Sequence, residues 1–416
     1  MKRLLFLIFI LIISLTVGYR ILSTWKGISL YQTDLSKENL LKAIQINPSN
    51  PDPFYRLGLF YQFDIQNIDL KESVHYLWGA IERNPLEQEY WINLARIFQR
   101  MGERIASEQS LEMAIRVFPV GYRGRWVTGN LLLQQGELEK ALLHFSYILS
   151  HYPNQSHMVY DVLRKAINDS DFILEKLVPK DPVSFRQYLS YLYEADDKES
   201  AQEAWQKRDS FGYKPDRNGT LQHIEFLISR NELNEAFSIW KARLREEGVP
   251  IPSDGNLVTN SGFEEEKNLG RGFDWKIDKV PGAEVSFDPL IAFEGKRSLR
   301  VVFNGKENVD FGHIYQFVSL KPNSEYVLKA NMKTKSVTTK SGLKIEISGV
   351  GPAFNNASEP FIGDNEWKEL VVIFRTPAQS QGGLVRIRRE RTDKFDRFIS
   401  GTVWIDNFSL KETKGH

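Results

Sequence analysis

The chain has 416 residues, 42% of them hydrophobic, enough apolar material for two or three cores, so it does not read as a disordered chain. Lys plus Arg number 54 and Asp plus Glu 53, for a net charge of +1, with 30 basic and 32 acidic residues before Asn256 and 24 and 21 from there on; neither part carries the field that attracts nucleic acid. The absence of cysteine excludes disulfides, thiolate nucleophiles, Cys-ligated zinc and iron–sulfur clusters, and no H-E-x-x-H pair, G-x-S-x-G elbow or phosphate loop is present. Binding, rather than catalysis, is the first expectation.

Lys2 and Arg3 precede an uncharged run over 4–19. Sixteen helical residues reach about 24 Å, short of a roughly 30 Å hydrocarbon core, but Arg20 can snorkel and 21–25 extend the span to Trp25 at the far interface. Residues 1–26 are therefore expected to form a signal anchor or transmembrane helix, with the N-terminus cytoplasmic and the bulk of the chain extracytoplasmic. A cleaved signal is the competing reading; Thr16, Val17 and Gly18 are small enough, although no A-x-A site or lipobox cysteine appears.

Over 37–247 the sequence repeats itself. Pro48, Pro85, Pro119 and Pro153 close similar segments at intervals of 37, 34 and 34 residues. Leu57, Gly58 and Tyr61 precede Ala80; Trp91, Leu94, Ala95 and Phe98 precede Ala114; Gly129, Leu132, Gly136, Ala141 and Phe145 precede Pro153. Small residues let two helices approach closely, large ones fill the space between hairpins, and proline ends the second helix. These residues and their spacing resemble the tetratricopeptide repeat. About six hairpins are expected, the fourth truncated before Pro179, with 40–48 as half a hairpin at the start. The resemblance implies an α-solenoid that binds a protein partner. Tyr122, Arg123, Arg125 and Trp126 cluster at one repeat start and are the groove candidates; packing with a solvated guanidinium is the other reading.

The stretch 248–255, with two prolines and two glycines, reads as a linker. Beyond it, ten short alternating segments are expected as strands: 256–260, 273–277, 284–287, 299–303, 313–320, 326–334, 343–348, 367–374, 384–389 and 402–410. Five pieces, NLVTNSGFEE at 256–265, EGKRSLRVVF at 294–303, YQFVSLKPNSEYVLKANMK at 315–333, EWKELVVIFRTP at 366–377 and GTVWIDNFSL at 401–410, together look like carbohydrate-binding modules of the jelly-roll type. The fold class expected for the whole chain is thus α then β, multidomain: a membrane helix, an α-solenoid and, over 256–413, an antiparallel β-sandwich.

What the resemblance implies for ligands is read onto matching positions. Glu264 and Asp406 match the carboxylates that hold a structural calcium in such modules; the alternative is a Glu and an Asp satisfied by backbone amides. No other cofactor is expected. For a glycan, alternation sends Ile314 and Val318 one way and His313, Tyr315 and Phe317 the other, with Arg386 and Arg388 opposite Val385 and Ile387. With Asn331 from a neighbouring strand, these make a face for a polysaccharide, an acidic one if the guanidiniums meet carboxylates. The competing reading covers that face with a loop or the repeats. Glu366 and Glu369 fall on opposite faces or in a bulge, so the paired carboxylates of a glycosidase are not evident.

The function expected is a non-enzymatic, membrane-anchored extracytoplasmic scaffold, its repeats on a protein and its sandwich on a polysaccharide, serving polysaccharide assembly, export or envelope organisation. That combination resembles envelope proteins of bacterial exopolysaccharide systems. A protein-only scaffold with a purely structural sandwich is the alternative, and a glycoside hydrolase the more distant one. Nucleic acid is not among the expected partners.

Overall fold

The structure, a computed structural model, describes residues 2–249 and 255–413; most of the expected linker 248–255 lies outside the described residues. The chain divides into two compact units, Met1–Tyr213 and Lys214–His416.

The first unit is helical: α1 (Lys2–Thr33), α2 (Lys37–Ile46), α3 (Pro51–Phe63), α4 (Leu70–Arg83), α5 (Gln88–Met101), α6 (Arg104–Val117), α7 (Tyr122–Gln134), α8 (Leu138–His151), α9 (Ser156–Ile167), the single turn α10 (Ser170–Phe172), α11 (Pro182–Glu194) and α12 (Lys198–Lys207). Successive helices pair as hairpins, which is the tetratricopeptide-like pattern of the sequence. Pro48, Pro85, Pro119 and Pro153 each stand two residues past the end of α2, α4, α6 and α8, where the missing N–H costs nothing. Gly58 and Gly129 set the approach of paired helices: a Cβ there would lie 2.8 Å from Leu77 and 2.9 Å from Phe145. Ser73 and Ser107, 34 positions apart, donate buried hydroxyl bonds across their hairpins to the carbonyls of Gly58 and Ala95. In the fourth hairpin the second helix is cut to α10 and a π turn, Ile173–Leu177, two residues short of Pro179.

One feature differs from the sequence reading. α1 is unbroken from Lys2 to Thr33, and its last turns pack against α2: Tyr31 is buried with Leu40, Ala43 and Leu57, and Gly27 faces Ala43. The half hairpin at 40–48 is therefore completed by the apolar helix itself. Within α1, Phe6–Thr33 is long and apolar enough to cross a membrane, and its apolar window is entirely unburied.

The second unit holds α13 (Arg217–Ser229), α14 (Leu233–Glu246) and ten strands: β1 (Lys276–Ile277), β2 (Ala283–Asp288), β3 (Ser298–Asn304), β4 (Phe311–Ser319), β5 (Glu325–Val337), β6 (Lys344–Val350), β7 (Asn355–Ala357), β8 (Gly363–Arg375), β9 (Gly382–Arg389) and β10 (Ser400–Glu412). They form two antiparallel five-stranded sheets, β1-β4-β9-β6-β7 and β2-β3-β10-β5-β8. The inward positions, among them Val301, Ile314, Val318, Leu328, Ile345, Val385, Ile387 and Ile405, make one buried core between them. The expected strand at 256–260 is absent: Asn256 instead holds Phe408 and Leu410 of β10 through its side chain. β7, three residues long, had no visible period.

The α13/α14 hairpin is bound to the sandwich. Leu221, Ile224, Phe237 and Trp240 share a buried cluster with Leu269 and Phe273, and Phe317 packs against it. Gly272, at φ +69°, brings its backbone so close to Trp240 that a Cβ would lie 3.0 Å from the indole.

Candidate functional site

The outer face of the first sheet is built by alternation. On β4, His313, Tyr315 and Phe317 point away from the core; on β9, Arg386 and Arg388 do, with Arg386 opposite Tyr315 and opposite Glu346 of β6. The structure divides this row in two.

At the Phe317 end the face is covered. Phe317 lies against the α13/α14 cluster, Ser319 donates to Asn234, and Gly382 abuts Leu233. Phe317 is therefore not a free platform for a sugar ring, a correction to the sequence reading; its apolar ring is worth more under a helical hairpin than in water. Asn331 is a second correction. It sits on β5, in the other sheet, between Asp406 of β10 and Glu369 of β8, and cannot join β4 and β9.

At the other end the face opens into a cleft of about 690 Å³ lined by His313, Arg386, Arg388 and Arg391, together with Glu307, Asp310 and the rim Val280–Pro281. Two of its arginines, Arg386 and Arg388, are held in place. Arg388 is paired with Asp310 and donates to the carbonyl of Phe311 at 3.0 Å; the guanidinium keeps the Asp310 carboxyl below its usual range. Arg386 lies 3.3 Å from the buried Glu346 and donates to Ser348 Oγ at 3.2 Å, while its own Nε is buried without a hydrogen bond. The His313 Nδ1 accepts from the N–H of Gly312, which puts the neutral ring's proton on Nε2 as a donor. Tyr315 stands beside the cleft, edge-on to Phe317 at 6.1 Å, with burial raising its hydroxyl pKa. Fixed guanidiniums, an imidazole donor and a tyrosine ring suit a hydroxyl-rich chain. Asp310, Glu307 and Glu346 were missed from sequence; asking which carboxylates could neutralise the outward arginines would have pointed to Asp310, just ahead of β4.

Behind these stands Arg389, buried on the inner side. Its guanidinium donates to the carbonyls of Ser341, Val309 and Arg397, and burial alone lowers its pKa.

Glu264 and Asp406 converge on Gly262, where a Cβ would lie 3.5 Å from Asp406 Oδ1 and 3.7 Å from Glu264 Cγ. Asp406 accepts the N–H groups of Phe293, Glu294 and Asn407, and Glu264 that of Lys296. Burial, with the Glu264 charge adding, raises the Asp406 pKa, a repulsion that a cation between the two would relieve. Two carboxylates alone fall short of the six to eight oxygens that calcium takes, and among the described residues no group of three or more His, Asp or Glu makes a fuller cluster.

In the repeats, Tyr122 and Trp126 stack at 6.2 Å, but the arginines beside them turn elsewhere. Arg123 pairs with Glu89 of α5, and Arg125 lies 4.2 Å over Tyr147 and 3.5 Å from His144 of α8. Arg123 thus reaches a neighbouring hairpin while Arg125 packs within its own, and Arg123 is the exposed one of the four.

Over 170 residues the chain is 22% identical to a tRNA(Glu)-specific nuclease of Bacillus subtilis subsp. natto, an alignment covering 39% of this chain and 7% of that protein; the chain thus spans about 7% of the length of this relative. Among solved structures, a family 16 carbohydrate-binding module is 23% identical, covering 37% of this chain and 99% of the module with a TM-score of 0.27. A tetratricopeptide repeat protein from Parabacteroides merdae is 16% identical, covering 57% of this chain and 95% of that one with a TM-score of 0.31. Residues 255–394 match the model of a family described as a carbohydrate binding domain.

Proposed function

We propose that the chain is a membrane-anchored, non-enzymatic scaffold whose sandwich binds a polysaccharide in the cleft of His313, Arg386 and Arg388, with Tyr315 beside it, while the helical hairpins bind a protein partner. α1 is the anchor, and the rest of the chain lies on the extracytoplasmic side. Calcium, held by Glu264 and Asp406, has a structural role only. The observation that carries the glycan reading is the open end of the sheet face, where two arginines are locked by carboxylates inside a segment that matches a carbohydrate-binding family.

The cleft sets three arginines against Glu307, Asp310 and Glu346, so it has little net charge. That balance favours a neutral, hydroxyl-rich polymer over a polyanion. Arg391, outside any ion pair among the described residues, is the group left for an occasional acidic substituent.

The test is affinity electrophoresis of the full chain in detergent against neutral and acidic polysaccharides. Retardation on a neutral polymer is expected, with Arg386→Ala or Arg388→Ala weakening it about tenfold or more through the lost charge-assisted bonds and the carboxylate left unpaired. A folded chain that no polysaccharide retards would favour the second reading, a structural sandwich, which the α13/α14 contacts at Phe317, Ser319 and Gly382 support.

A further inference from the structure

β8 carries a surface that glycan binding leaves unused. It ends its sheet, paired to β5 alone. Over 369–375 the pairing is regular, its irregularities being confined to the stretch before Lys368, and Pro377 stands beyond the strand. Along this segment Leu370, Val372 and Phe374 enter the core, while Glu369, Val371, Ile373 and Arg375 face outward. Val371 is 43% and Ile373 66% exposed. Natural edges are usually blunted by proline, a bulge or charged side chains; this half of β8 has no proline or bulge, confines its charges to its two ends, Glu369 and Arg375, and shows two β-branched apolar side chains to solvent between them.

We propose that this edge pairs antiparallel with the same edge of a second copy of the chain, about a two-fold axis through Val372. Residues directly opposite in such a pair share a face, so only registers centred on a residue keep both cores on the same side of the merged sheet. Centring on Val372 sets Glu369 opposite Arg375 of the partner subunit and Val371 opposite Ile373 of the partner subunit, and symmetry forms each pair twice. Centring on Val371 instead sets Glu369 against an isoleucine, and centring on Ile373 sets Val371 against an arginine. Charge and apolarity therefore select one register out of the set. Lys329 holds Glu369 Oε2 at 2.9 Å on the same face, fixing the acid at the edge for its second cation.

The experiment is sedimentation equilibrium of the full chain in detergent micelles, with circular dichroism to confirm that each variant is folded. The native chain is expected to dimerise reversibly. Glu369→Arg or Arg375→Glu alone places two like-charge pairs at the interface and should weaken the dimer roughly tenfold or more. The double variant Glu369→Arg with Arg375→Glu restores both pairs and should return the dissociation constant to within about threefold of native. Because the chain has no cysteine, Val371→Cys with Ile373→Cys gives a clean second measurement, an intermolecular disulfide on oxidation, since directly opposite Cβ atoms come to about 4.5 Å at their closest, the upper end of the disulfide range. A native chain that stays monomeric at about 100 µM, a double reversal no tighter than the single ones, or pairing of β8 with a different protein instead of itself would each overturn the proposal.

Discussion

Arg389 concentrates the sandwich's electrostatic cost in one side chain: a guanidinium with 0% exposure, satisfied by three carbonyls and by no ion pair among the described residues. It ties together backbone near Val309, Ser341 and Arg397, and Val309 adjoins Asp310, the partner of Arg388. The cleft wall thus depends on a residue that never reaches the cleft. Glu264 and Asp406 pose the reverse problem, two carboxylates brought together with backbone amides as their donors. If calcium lies between them, millimolar calcium should raise the Tm of the native chain by roughly 5 °C, and Glu264→Gln should abolish that shift while Arg388→Ala keeps it. An unchanged Tm in differential scanning calorimetry would leave the amides as the whole explanation. At this scale alternation in the sequence told which way His313, Tyr315, Arg386 and Arg388 face, because period two is a local property. It could not tell that Asn331 belongs to the opposite sheet, nor that Asn234 and Leu233 cover the far end of β4, since both depend on strand order and on contacts distant in sequence.

The helical hairpins were the most legible elements, and the reason is steric. Gly58 and Gly129 stand where a Cβ would crowd Leu77 and Phe145, Ala95 keeps the equivalent place in the hairpin between them, and the prolines stand where a helix has already ended, so the period is written in small residues and helix breakers. Gly129→Val should accordingly cost about 2 kcal/mol or more, since its branches must enter the space of the Phe145 ring. Phe145→Leu in the same chain should recover part of that loss, and urea unfolding of the single and double variants measures the coupling. Independent, additive losses would show that the helix approach is set elsewhere. α1 was only half legible: its apolar run reads as an anchor, and nothing in that run announces that Gly27 and Tyr31 also complete the first hairpin. β7 and the non-strand at 256–260 escaped for a simpler reason. Three residues are too few to display a period, and a side chain that caps backbone groups looks, in sequence, like one residue of a strand.

For the whole molecule, the compact units part at Tyr213 rather than at the proline-rich stretch near 250. We propose that the sandwich folds with α13 and α14 as part of it. A fragment beginning at Lys214 should melt in one cooperative transition. One beginning at Gly255 leaves Leu269, Phe273 and Phe317 without Trp240, Phe237 and Leu221, and should melt at least about 5 °C lower, several side chains' worth of apolar burial having been lost. Equal melting temperatures would assign the hairpin to the repeats alone. The carbohydrate-family match, which begins at residue 255, contains the cleft but not the hairpin that closes one end of its sheet.

The continuity of α1 has a mechanical consequence. Between Trp25 and the end of the helix at Thr33 there is no glycine-rich or proline-bearing swivel, only about 12 Å of helix already clamped to α2. A bilayer-spanning segment is ordinarily inclined by about 20°. With α1 in that role, lean and axial rotation pass undamped into the first hairpin, which then behaves as a crank on a rigid shaft rather than a weight on a tether. Bilayer thickness, by setting that lean, would steer where the first repeats point.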